Sequence, residues 1–172
     1  DEDKSKILDH GKTLVGNVKQ EFKLEPDFIK SSGFGSFLST ATRKWIEISQ
    51  NQKITKFSIK SSWIVRQFEN EYNPVHYHSG HLSGVGYLKL PNDFGKLFQS
   101  SKTKNLNGNI ALIHGGKMFN SESVFEIKPK VGDFYIFPNY LMHSVNPFYG
   151  EEERRSVSFN AKIDESIYNV YE

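Results

Sequence analysis

The hydrophobic rhythm of the chain changes once, near Asn51. From Gly35 to Gln50 the apolar residues Phe37, Leu38, Ala41, Trp45 and Ile48 recur at three- and four-residue spacing. That period predicts an amphipathic helix over about residues 35–50, with one face packed on a sheet. Downstream the rhythm shortens toward alternation. The segments KITKFSI, SSWIVRQFE, LSGVGYLKL, NIALIH, SVFEI, DFYIF and RRSVSFNAKI are short and rich in β-branched and aromatic residues. Each is set off from the next by Gly, Pro, Asn or Ser, the signature of strands joined by turns. Many short strands after one helix, without βαβ alternation, predict a mainly β fold with an N-terminal helix, an antiparallel sandwich or jelly roll. At 172 residues the chain is expected to form one domain (1–172). Residues 1–50 would be its N-terminal segment and 51–163 its β core. The charged opening DEDKSKILDHGK reads as a mobile start, and the polar stretch 100–109 as a flexible loop.

Composition removes several classes of function. The formal charge of +2 is small and the basic residues are scattered, so no block of charge points to nucleic acid or anionic lipid. No apolar run approaches the roughly 18 residues of a membrane helix, and no signal peptide is visible. The expected location is the cytoplasm, or a host cytoplasm if the gene is carried by a phage, since Lys, Asn, Ile and Phe are abundant as in AT-rich genomes. The chain opens on Asp1 rather than Met, which leaves a natural start upstream open. With no cysteine, disulfides and thiolate metal sites are excluded, and any metal must be held by His and carboxylate. Such ligands favour a harder ion than a structural zinc centre uses.

That constraint gives weight to NPVHYHSGH, where three histidines fall within six positions. On a strand, His76 and His78 would face the same side and converge on one point. A catalytic metal wants a third protein ligand and open positions besides. His143 in GDFYIFPNYLMHSV is the best remote candidate, because a jelly roll places distant strands side by side. Eleven residues on, the strand RRSVSFNAKI puts Arg154, Ser156 and Ser158 on one face, with Val157 and Phe159 on the other. An arginine in such a strand is costly without a partner carboxylate, and the strand contains none. A bound small acid is therefore a candidate partner.

The set H-x-H, SGVGYLKLP, GDFYIFPNYLMHSVNP and ERRSVSFN resembles the Fe(II)- and 2-oxoglutarate-dependent oxygenases over about residues 60–162. It is most similar to a small prolyl-hydroxylase-like group with H-x-H, S-G-V-x-Y, G-D-x-x-x-F-P and R-x-S-x-S-F motifs. The resemblance implies a double-stranded β-helix (jelly roll) with iron at its open end. It also implies Fe(II), 2-oxoglutarate and O2 as the reaction's requirements, and hydroxylation of a C–H bond as its outcome. By the same resemblance His76 and His143 are metal ligands, and Arg154 with Ser156 grips the distal carboxylate of 2-oxoglutarate, assisted by Tyr87. The broad superfamily carries a carboxylate where this chain has His78. Three readings of His78 stay open: a ligand in an all-imidazole set; a neighbour outside the metal's shell, with water or substrate filling the site; or a shifted ligand set that takes in His78 or His81.

Two other functions fit parts of the pattern. A cupin-like metal enzyme uses H-x-H and a remote His but has no need of Arg154 and Ser156. A jelly-roll binding module that has lost its chemistry would explain the missing carboxylate. Among the other candidates, His81 reads as a solvated loop residue and His114 as a strand-end surface residue, while Trp63 and Phe68, on a strand entering the site, could line the pocket but read first as core. Arg155 would replace Arg154 if a one-residue bulge shifted the strand. The prime substrate is not named by any cluster of residues, and the sequence leaves the oligomeric state open, a homodimer included.

Overall fold

The computed structural model describes residues 6–99 and 101–169. Strand β1 (Gln20–Lys23) and the short helix α1 (Pro26–Ser31) lead into the long helix α2 (Phe34–Gln50). α2 follows Gly33 at φ 78° and stops at Asn51, which takes the left-handed conformation at φ 52° and returns its N–H to the Glu47 carbonyl. Eight strands complete the fold: β2 (Phe57–Gln67), β3 (Asn73–His76), β4 (Leu82–Lys89), β5 (Ile110–Ile113), β6 (Val124–Ile127), β7 (Phe134–Pro138), β8 (Met142–Val145) and β9 (Arg154–Ile163). A one-turn helix, α3 (Glu165–Tyr168), follows.

The strands form two antiparallel sheets, a major one of order β1-β2-β9-β4-β7 and a minor one of order β3-β8-β5-β6. Between them lies a core of Val85, Tyr87 and Phe137 from the major sheet against Ile110 and Ile127 from the minor. This is the jelly roll, or double-stranded β-helix. The outer face of the major sheet carries α2, where Leu38 packs with Phe159 and Ala161, and Ile46 with Leu82, Ile54 and Ile163. Glycines make that face smooth: a Cβ on Gly84 would stand 2.5 Å from the Phe159 ring, and one on Gly86 2.3 Å from the Phe134 ring. The motif SGVGY thus alternates small residues outward with Ser83, Val85 and Tyr87 inward.

Three features differ from the sequence-based expectation. The buried ridge of α2 is Leu38, Thr42 and Ile46, while Phe37 and Ile48 are 47% and 73% exposed. The i, i+4 row fits the sheet, and Phe37 instead closes the edge by a T-shaped contact with Phe134 at 5.2 Å. The charged opening is also tied to the sheet where the structure describes it, residues 1–5 lying outside the described residues. Asp9 bridges to Phe22, the His10 N–H donates to the Glu21 carbonyl (2.8 Å), and Gly11–Thr13 form a 3₁₀ turn. The loop before β5 is tied down as well, by asparagines: Asn107 donates to the Phe94 carbonyl (3.1 Å), and Asn146 to that of Leu106 (3.0 Å).

Candidate metal centre and anion site

The antiparallel register of β3 and β8 sets His76 directly opposite His143. His78 lies two residues beyond the end of β3, and its placement owes nothing to strand alternation. Asn139, in the turn between β7 and β8, clamps it instead. The His78 N–H donates to the Asn139 carbonyl, and the Asn139 side-chain amide donates to the His78 carbonyl, both at 2.9 Å. The three rings converge so that one ligand nitrogen from each lies within 4.8 Å of the others.

The backbone also selects which nitrogen each ring presents. Nδ1 of His76 meets the Pro74 carbonyl at 2.7 Å, and Nδ1 of His143 meets that of Leu141 at 2.8 Å. A carbonyl only accepts, so Nδ1 must carry the proton and Nε2 keeps its lone pair for a metal. Nε2 of His143 lies 3.2 Å from Nε2 of His78. Two nitrogens each about 2.1 Å from one ion stand about 3.0–3.4 Å apart for octahedral or tetrahedral angles, so this spacing suits shared coordination. Burial disfavours the charged rings: desolvation, reinforced by the neighbouring imidazoles, pushes His78 down to about 3. Desolvation likewise pushes His143 down to about 4, and it lowers His76. All three are neutral at ordinary pH, the state a metal ligand needs.

The major sheet faces this triad with a cation. Arg154 is 2% exposed, and its guanidinium meets one protein acceptor, Gln67 Oε1 at 3.2 Å. Its Nε and Nη2 have no partner, and no carboxylate lies within ion-pair distance among the described residues. The nearby Glu153 is engaged elsewhere, by Arg66 (2.5 Å), Arg155 and Lys89. Alternation in β9 is regular through this stretch, since the irregularity lies on the neighbouring strand between Tyr87 and Lys89. Arg154 therefore faces inward and Arg155 outward, where Glu153 neutralises it. The Tyr87 ring lies beneath the guanidinium, 5.0 Å away, and its buried hydroxyl is unpartnered. Ser156 and Ser158 follow on the same face, so His76, His78, His143, Arg154 and Ser156 line one cavity of about 110 Å³. Tyr87 flanks it through the guanidinium.

Other histidines and aromatics settle differently. His81 is not solvated but 4% exposed: it accepts from the Ile163 N–H (3.1 Å), meets Glu165 at 3.3 Å and stacks on Tyr168 at 4.1 Å. It pins α3 to the sheet, facing away from the metal site. His114 is exposed, as expected of a strand end. Trp63 lines the cavity, 5.7 Å from the His78 ring, whereas Phe68 packs under Arg66. Sequence reasoning missed Gln67, Asn139, Glu21 and the segment Thr13–Val15, all at or beside the cavity. The Trp63, Val65, Gln67 alternation in β2 carried the signal for Gln67; the four-residue β1 is too short to carry one for Glu21.

The comparisons with known proteins point the same way. The family profile described as 2OG-Fe(II) oxygenase matches residues 61–160, more than half of the chain. The fold is similar to a viral collagen prolyl hydroxylase from Paramecium Bursaria Chlorella virus-1, solved with 2OG (TM-score 0.55, 16% identity, 94% of this chain and 90% of that one). It is similar to a Trichoplax adhaerens prolyl hydroxylase solved with a hypoxia inducible factor peptide (0.56, 15%, 91% and 68%). A Pseudomonas putida prolyl-4-hydroxylase also matches (0.51, 15%, 82% and 71%). No curated protein sequence matches the chain.

Proposed function

Because the chain belongs to the 2OG-Fe(II) oxygenase family, whose members use Fe(II), 2-oxoglutarate and O2, we propose that this cavity hydroxylates a C–H bond of a prime substrate. The balance is R–H + 2-oxoglutarate + O2 → R–OH + succinate + CO2. His76, His78 and His143 would hold the metal as an all-imidazole set. Iron(II) held there supplies the activation of O2. The protein's own part is positioning. Arg154 would take the distal carboxylate of 2-oxoglutarate through parallel N–H bonds, with the Ser156 and Tyr87 hydroxyls as further donors. The apolar walls of Trp63, Val65 and Phe137 keep water from the reacting centre.

The observation that carries this reading is the uncompensated Arg154 in the same cavity as three converging neutral imidazoles. A cupin-like centre would need the histidines but not the buried cation. The deciding experiment loads the protein with Fe(II) under anaerobic conditions, adds 2-oxoglutarate and O2, and measures succinate and CO2. Uncoupled turnover should release both, and neither should form in Arg154→Ala. A protein that binds Fe(II) yet neither binds nor consumes 2-oxoglutarate is a cupin-like enzyme instead. One that binds neither is a binding module.

A further inference from the structure

Glu21 is the buried charge that this reading leaves unused. It lies on β1, 2% exposed, and both its carboxylate oxygens are buried without a hydrogen-bond partner. Its position in the sheet is informative. Glu21 pairs with Val65, Val65 with Ser156, and Ser156 with Tyr87, so the four form one row across the inner face of the major sheet. Strands stand about 4.8 Å apart, which puts Glu21 about 10 Å from Ser156, across Val65. The cavity therefore has a cationic wall at β9 and an acidic wall at β1, with the imidazoles opposite both.

The acidic wall lies under a strap. Residues 10–17 cross it, anchored by the bond from His10 to the Glu21 carbonyl and by the pairing of Asn17 with Tyr72. Between those anchors, the hydrogen bonds of the described residues are internal to the strap and its start. Gly11 and Gly16 flank it, and a Cβ on Gly16 would come within 3.1 Å of Glu21 Oε1. The strap's Thr13, Leu14 and Val15 line the cavity. Among the described residues the strap is thus hydrogen-bonded to the rest of the fold at its two ends, and a ligand entering on this side would meet Glu21 beneath it.

We infer that Glu21 is the specificity-determining anchor for the prime substrate, and that this substrate presents an ammonium or guanidinium group. The substrate role rests on the oxygenase reading above. A carboxylate withdrawn from water without donors lacks what a cationic N–H donor supplies, two charge-assisted hydrogen bonds and a counter-charge. An inorganic cation is the poorer occupant: Asp9 and Glu71 lie nearby, but the described residues bring no three acidic oxygens together as they do the three imidazoles. Glu71 is also committed, to the Lys19 and Phe68 N–H groups. Burial, with Asp9 and Glu71 adding to it, raises Glu21 to about 7, so a cation that pairs with it should bind more tightly as pH rises through that value.

The test uses n-butylammonium, with 1-butanol and butyrate as neutral and anionic matches. Binding is followed by ligand-observed NMR saturation transfer on the protein loaded with Zn(II) and 2-oxoglutarate, and on the protein alone. Butylammonium should bind in both forms, at least tenfold more tightly than butanol, with butyrate excluded from the Glu21 side. Glu21→Gln should lose at least tenfold in that affinity while its Zn(II) and 2-oxoglutarate titrations stay as in the wild type. Equal binding of butylammonium and butanol, no binding of butylammonium, or unchanged affinity in Glu21→Gln overturns the assignment. Should Glu21→Gln not fold, the wild type decides: affinity for butylammonium must rise between pH 6 and 8 while that for butanol stays flat, and a flat profile for both overturns it. If 2-oxoglutarate fails to bind while the cation binds, the oxygenase reading falls and the Glu21 site stands.

Discussion

Replacing Arg154 separates the ion's cost from its use. In the protein alone the guanidinium is 2% exposed, holds one neutral acceptor and leaves two nitrogens unpartnered. Burial lowers its pKa, the sign of a charge that the fold alone does not repay. Replacing a buried ion by an apolar side chain of similar volume is often neutral or stabilising by about 1–4 kcal/mol, so Arg154→Met should melt at or above the wild type when no ligand is present. With a dicarboxylate bound the sign reverses. Removing one partner of a buried pair costs about 3–5 kcal/mol, which weakens 2-oxoglutarate binding between about a hundredfold and a few thousandfold. The wild type at a hundred times its Kd should gain about 2.7 kcal/mol from the ligand, and the variant almost none at the same concentration. Anaerobic calorimetry and thermal unfolding with Zn(II) and increasing 2-oxoglutarate read both effects. Arg155→Ala, whose partner Glu153 keeps Arg66, serves as the control and should change the ligand's Kd little. Equal 2-oxoglutarate affinity in Arg154→Met and wild type would refute the anion-site reasoning, and greater sensitivity at Arg155 would move the site to the other face of the strand.

His143→Ala should abolish stoichiometric metal binding in anaerobic calorimetry, while His78→Asp should retain Fe(II) and His78→Ala should weaken it clearly. If both His78 variants bind like the wild type, His78 is outside the metal's shell. The loss of metal affinity from pH 7 to 5.5 should fall well short of that of three free imidazoles, because burial lowers all three and His78 and His143 titrate at about 3 and about 4. Unperturbed imidazoles would lose about tenfold each over that range, and such a loss in a competition titration would contradict the burial argument. The same depression makes the metal-free fold acid-labile. The unfolded chain takes up protons below about pH 6.5 and the folded one does not, so stability present above 6.5 is lost as pH falls toward about 4, measurable by urea unfolding. Gly84→Ala should cost more than the usual 1–3 kcal/mol of overpacking (roughly), because its Cβ would meet the Tyr135 carbonyl at 2.6 Å as well as the Phe159 ring, and chemical unfolding reads it.

The legible parts of this fold are those with a period. α2 announces itself by its 3.6-residue repeat, and the longer strands by alternation and their turn residues. The Arg154, Ser156, Ser158 face is the same alternation carried into the site, and His143 is found by its strand and turn. What stayed hidden lacks a period. β1 is four residues long, and Glu21 in it looks like any surface glutamate until the β1–β2 register turns it inward. Strand alternation would turn His78 to the same side as His76, but the strand ends at His76. Asn139, distant in sequence, holds it there. His81 is adjacent in sequence yet buried elsewhere, because its partners Ile163, Glu165 and Tyr168 come from the far end of the chain.

The two halves of the site come from different sheets: all three histidines belong to the minor sheet and its margin, Arg154 and Ser156 to the major one. Packed sheets keep a separation of about 10 Å that side-chain substitution alters little. A molecule chelating at one side and ion-paired at the other is thus gauged by the gap itself, as by a fixed caliper. A 2-oxo diacid one methylene too short leaves an end unengaged, and one too long must buckle. Once seated, such a molecule would be a cross-brace joining the two sheets across that gap.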